Sequence, residues 1–87
     1  MPSNAPAEVD FVAFVMSLAA SALIQMGETE GTTADQTIDL PLAKQTIDII
    51  GMLRDKTRGN LTADEDRIVE TLLYDLRLKF LRRNKPK

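Results

Sequence analysis

Apolar residues recur at helical spacing in three blocks of this chain. In the first, about 10–26, Phe11, Val12, Val15, Met16, Leu18, Leu23 and Met26 spread around most of a helical wheel, while Asp10, Ser17, Ser21, Gln25 and Glu28 share one narrow polar stripe. A single neighbour cannot cover so wide an apolar arc. The segment is expected either at the centre of a bundle or at an interface between copies. The second block, about 41–57, carries a stripe of Leu42, Ile47, Ile49, Ile50 and Leu53 with Gly51 inside it. A glycine within a helix costs about 1 kcal/mol against alanine, so a neighbouring helix is expected to cross closely there. In the third block, about 62–83, Val69, Leu73, Leu76 and Phe80 repeat at spacings of 4, 3 and 4, a heptad-like seam that Ile68, Leu72 and Leu81 widen.

The punctuation between the blocks supports the same division. Asp39 is placed to cap the second helix, and Pro41 falls in the first turn, where no intrahelical hydrogen bond is lost. In "DKTRGNLTADED", residues 55–66, Lys56 and Arg58 suit a helix C-terminus and Gly59 is expected at C′ in the left-handed conformation. Thr62 and Glu65 then form a capping box. Helices 2 and 3 are therefore expected as an antiparallel hairpin, with apolar helix 1 packed against them or against a second copy. The fold class is all-α, one small domain over 1–87, with flexible stretches at 1–9, 27–39 and 84–87.

Composition removes several chemistries. The chain has no Cys and no His, so thiolate sites, the commonest zinc ligands and the commonest general base near neutral pH are missing. No catalytic, metal or cofactor-binding residue is assigned, cofactors are expected to be none, and the protein is expected not to be an enzyme. The net charge of −2 conceals an asymmetry: every side-chain charge before Lys44 is acidic and every one after Asp75 is basic. On the third helix an acidic first turn and a basic last turn complement the helix dipole, and Asp75 to Lys79 adds an i, i+4 pair.

Each cluster with a chemical reading also has a plainer one. Residues 27–39 hold four acids, but their spacing departs from an EF-hand loop and reads as a solvated acidic loop. Free amides at the start of helix 3 could attract phosphate, yet Asp64, Glu65 and Asp66 in the same turn repel an anion. The apolar run of helix 1 falls short of the roughly 20 residues a membrane span needs, and no positive charge precedes it as a secretory signal requires. The cytoplasm is the expected location. In "RLKFLRRNKPK", Arg77, Lys79, Arg82, Arg83 and Lys85 are candidate phosphate contacts for a nucleic-acid partner. On helix 1, Ala13, Ser17 and Ser21 form a small-residue ladder that permits close backbone approach.

The phrases "DFVAFVMSLAASALIQMG", "LPLAKQTIDIIGMLRDKTRGNLTADED" and "LLYDLRLKF" together resemble the small bacterial proteins of domain-of-unknown-function family 1844, over about residues 10–82. The chain departs from the family at 27–39, where relatives often carry a proline. The resemblance implies a bacterial, cytoplasmic, all-helical protein and carries over no catalytic residue. It singles out Asp48, Arg54 and Lys56 as polar motif positions that packing does not explain, suited to a partner surface or an internal ion pair. The leading expectation is a non-catalytic module for protein–protein interaction or self-association, favouring a dimer formed through helix 1 and the seam of helix 3. The alternative is a nucleic-acid-binding accessory protein using residues 77–87.

Overall fold

The computed structural model describes residues 10–28 and 38–84. The expected flexible lead-in at 1–9, the body of the 27–39 loop and the last three residues, Lys85 among them, lie outside the described residues. Three helices follow in order: α1 Phe11–Met26, α2 Leu40–Lys56 and α3 Ala63–Arg83. They match the expected spans to within one residue at each end, and no strand occurs among the described residues, so the fold is all-α.

The starts of α2 and α3 are held by their expected side chains. The Asp39 carboxylate accepts from the Leu42 amide at 3.0 Å, with Pro41 in the first turn of α2. The Thr62 hydroxyl accepts from the Glu65 amide at 3.1 Å while Glu65 accepts from the Thr62 amide at 2.8 Å, a complete capping box. Asp10 proves to be a cap as well, accepting from the Ala13 amide at 3.3 Å. α1 ends at Met26 as expected, while the cap that ends it was not read from the sequence. Gly27 takes φ 78°, its amide donates to Ile24 O, and the Glu28 amide reaches back to Leu23 O at 2.8 Å, which makes a Schellman motif. At the end of α2 the cap is Thr57, so left-handed Gly59, φ 87°, lies one residue beyond the C′ position expected for it. The Thr57 hydroxyl donates back to Leu53 O at 2.7 Å.

All three helices contact one another around one buried cluster: Val15, Ala19, Ala22 and Met26 from α1, Ala43, Ile47 and Ile50 from α2, and Val69, Leu73 and Leu76 from α3. Arg54 on α2 pairs with Glu70 on α3 while Gly51 meets Arg77, so α3 residue numbers rise as α2 numbers fall. The hairpin is antiparallel, and α1 lies against both of its helices. Its C-terminal end meets the start of α2 through an Asp39 amide to Gln25 carbonyl bond of 2.8 Å. It meets the end of α3 through Arg83, whose Nε lies 2.6 Å from Glu28 Oε2. Inside the bundle Thr46 is the buried polar residue, and its Oγ1 lies 2.9 Å from Gln25 Oε1 and 3.1 Å from Leu42 O.

Three expectations change. Ile68 and Leu81 do not widen the buried seam of α3, since both are exposed, and Leu42 and Ile49 of the α2 stripe are exposed too. The α3 seam itself closes on α1 and α2, so it is not free to bind a second copy. Finally, the neighbour crowding Gly51 is a side chain rather than a helix backbone: Arg77 Nη2 lies 3.1 Å from where a Cβ would stand. The charge of α3 reaches over α2 at this point, and a glycine leaves room for it.

Candidate functional site

The feature of α1 that stands apart is the side it turns outward. Its buried residues are Val15, Ala19, Ala22 and Met26, two of them alanines, so the core takes little of this helix's bulk. Opposite them lie Ala13, Phe14, Met16, Ser17, Ala20, Ser21 and Ile24, all exposed and none charged. Phe14, Met16 and Ile24 leave 50%, 53% and 45% of their surface in solvent. Large apolar side chains scattered singly on a surface are ordinary, but a helix face holding three of them without one charge is not.

The expected ladder of Ala13, Ser17 and Ser21 lies wholly on this face. Ser17 Oγ donates to the Phe14 carbonyl at 2.7 Å, which hides its polarity within its own helix. The face is also longer than the ladder suggested. Ala13, Ser17, Ala20 and Ile24 run its length at spacings of 4, 3 and 4. Ala20 and Ile24 were not singled out beforehand, although that spacing was present in the residues.

The three polar motif positions separate. Arg54 is internal: its side chain is 18% exposed and it reaches Asp55 and Glu70, each at 3.1 Å. Burial opposes its charge, while the Asp55 hydrogen bond and the Glu70 carboxylate more than offset that and raise its pKa. Asp55 is correspondingly held below its ordinary value by the Arg54 hydrogen bond. Asp48 pairs along its own helix with Lys44 at 2.8 Å, both exposed. Lys56 is exposed and makes no ion pair among the described residues.

The C-terminal cations are also divided. Lys79 is held by Asp75 at 2.8 Å and Arg83 by Glu28, with a second bond from Arg83 to the Gly27 carbonyl at 3.1 Å. Arg77 and Arg82 make no ion pair among the described residues, and Lys85 lies outside them. Arg77 stands beside an open groove of about 300 Å³ between α2 and α3, floored by Ile47, Phe80 and Leu81 and edged by Lys44 and Asp48. Neither this groove nor the exposure of Tyr74, at 70%, was anticipated. Among the described residues no group of three or more Asp or Glu side chains could hold a metal ion, and no helix is long and apolar enough to cross a membrane.

A family model described as Domain of unknown function (DUF1844) matches residues 8–82, a span that contains all three helices except the last residue of α3. No curated protein and no solved structure matches the chain.

Proposed function

The chain belongs to the DUF1844 family, and on that premise we propose that it is a non-catalytic helical module for protein–protein association, acting in the bacterial cytoplasm through the outward face of α1. One observation carries this reading: between residues 11 and 26 the side of α1 away from the core carries no charge, Asp10 and Glu28 standing beyond its ends, and it exposes Phe14, Met16 and Ile24 by about half each. Covering the face between residues 11 and 26 removes apolar surface from water at about 25 cal/mol per Å², and it desolvates no charge within that stretch. The absence of His and Cys from the sequence supports the non-catalytic part, because the common nucleophile and base arrangements are out of reach.

The nucleic-acid alternative has weaker support. Lys79 and Arg83 are each committed to a carboxylate of the chain itself, leaving Arg77 and Arg82 as the described cations of that segment free to meet phosphate. A salt series with short RNA and DNA measures it directly.

The association reading is tested by light scattering over a dilution series and by capture from a lysate of the source organism, comparing the wild type with Ile24→Asp. The variant should keep its melting transition, since Ile24 is half-exposed, and lose whatever association the wild type shows. A wild-type chain that stays monomeric, and that captures nothing the variant fails to capture, ends the reading.

A further inference from the structure

Resting on the association reading, we infer that the partner of the α1 face is a second copy of this chain, and that the two α1 helices pack antiparallel about a two-fold axis passing between residues 18 and 19. Three observations lead there. First, charge: from Phe11 to Met26 the face presents no charged group, and the two acids of its polar stripe, Asp10 and Glu28, stand beyond its ends, so its length matches a surface equally free of charge, and on this chain α1 supplies one. The outward sides of α2 and α3 do not, since they carry ion pairs such as Lys44–Asp48 and Arg67–Asp64.

Second, the residue sizes along the outer seam are complementary only in one direction. Ala13, Ser17, Ala20 and Ile24 repeat at 4, 3 and 4, the spacing of a helix-pairing seam. In an antiparallel pair Ile24 faces Ala13 of the other copy and Ser17 faces Ala20, so large meets small at both ends and small meets small at the middle. The helices then lie at even separation over a contact of roughly 24 Å, taking about 1.5 Å per residue for the 16 residues of α1. A parallel pair would set Ile24 on Ile24 at one end and Ala13 on Ala13 at the other, which splays the helices and leaves a gap. A two-fold contact also requires a surface to match itself, as this seam does.

Third, area. One helix face falls short of the about 800 Å² per partner of a standard stable interface. The flanks supply more. Leu42 and Ile49 lie one turn to either side of Thr46, which faces α1 through Gln25, and both are exposed. Ile68 lies one turn before Leu72 on the α3 side that leads to Arg83 and Glu28, and it too is exposed. The assembled particle is a six-helix bundle with the two α1 helices at its centre.

The chain has no cysteine, so introduced thiols report geometry without background. Ala13→Cys and Ile24→Cys are exposed positions, and unchanged thermal melts confirm that each variant folds. Mixed in equal amounts, one carrying a size tag, and gently oxidised at tens of micromolar, they should give chiefly the mixed disulfide, while Ala13→Cys alone stays largely reduced. Ala20→Glu should raise the dissociation constant measured by light scattering by at least about tenfold, because the pairing buries its carboxylate. Self-linking of Ala13→Cys alone would show a parallel pair and overturn the antiparallel geometry while leaving association intact. A monomeric wild type that still loses lysate capture on Ile24→Asp would overturn the second copy as partner but preserve the role of the face.

Discussion

The first and third helices bury seams of the same spacing, 4-3-4, yet they are stabilised in opposite ways. In α3 the seam is Val69, Leu73, Leu76 and the half-buried Phe80, all bulky, and its ends are completed locally by a capping box, an acidic first turn and a basic last turn. In α1 two of the four seam residues are alanine, and neither its first nor its last turn carries a complementary charge. Alone, α3 already has the caps, dipole complement and i, i+4 pair that favour a helix in water, whereas α1 depends on what it packs against. The difference teaches where each helix's apolar content is directed. α3 puts bulky residues into the core and leaves Ile68, Tyr74, Leu78 and Leu81 exposed on a helix that also carries charges, whereas α1 puts two alanines into the core and exposes Phe14, Met16 and Ile24 on a side without charge between residues 11 and 26.

The largest test of that contrast compares inward with outward side chains. Met26 and Leu76 are both almost completely buried, so Met26→Ala and Leu76→Ala should each lower unfolding free energy by about 2–5 kcal/mol in urea titrations. Ile24→Ala, made on the outer face, should cost less than about 0.5 kcal/mol in dilute protein and more as concentration rises. An equal loss for Ile24→Ala and Met26→Ala at high dilution would mean that α1 has no separate outer face.

The two left-handed glycines come next, one closing α1 and one preceding α3. Each would force a side chain into positive φ, at about 1–2 kcal/mol. Gly59→Ala should cost no more than that, because no atom lies within 4 Å of the added Cβ. Gly27→Ala should cost more, since its Cβ would stand 2.8 Å from Ile38 Cδ1 and push that side chain aside. Thermal melts of the two variants rank them, and the reverse order would show that the end of α1 yields more readily than its packing implies.

Smaller again is the difference between caps. Thr62→Ala removes one half of a reciprocal pair and should cost about 1 kcal/mol, while Asp10→Ala removes a single bond of 3.3 Å and should cost less. Amide exchange in the first turns of α3 and α1 would separate them, and equal losses would contradict the view that α3 carries the greater local stabilisation.

What could be read from residues alone follows the same division. The caps at Asp39 and Thr62, the Asp75–Lys79 pair and the seam of α3 depend on neighbours within four positions, and all were legible. The buried stripe of α1 was not, because a helix apolar nearly all round offers no strong direction, and its true core positions include Ala19 and Ala22, which hydrophobicity alone ranks low. The crowding of Gly51 was legible as a fact but not in its cause, since Arg77 arrives from another helix. As for the outer face of α1, its ladder of Ala13, Ser17 and Ser21 could be seen, while its extension through Ala20 and Ile24 needed the fold to show which side remains open.

The smallest expected effect concerns the one ion pair, among the described residues, that joins the end of α1 to α3. The Arg83 hydrogen bond holds the Glu28 carboxyl below its ordinary 4.5, with burial opposing it, and the guanidinium charge of Arg83 adds to the lowering. A carboxyl whose pKa is depressed on folding stabilises the fold above its unfolded pKa, and it loses that contribution as pH falls through the folded value. With Arg83 42% exposed the pair is screened, so Glu28→Gln should cost about 0.5–1 kcal/mol at pH 7. Urea midpoints for wild type and variant should therefore differ at neutral pH and converge in acid, below the ordinary carboxyl range, as the wild-type carboxyl takes up its proton. A difference that persists unchanged however far the pH is lowered within the folded range would mean that Glu28 acts through packing over Gly27, so that α1 would be joined to α3 by shape alone.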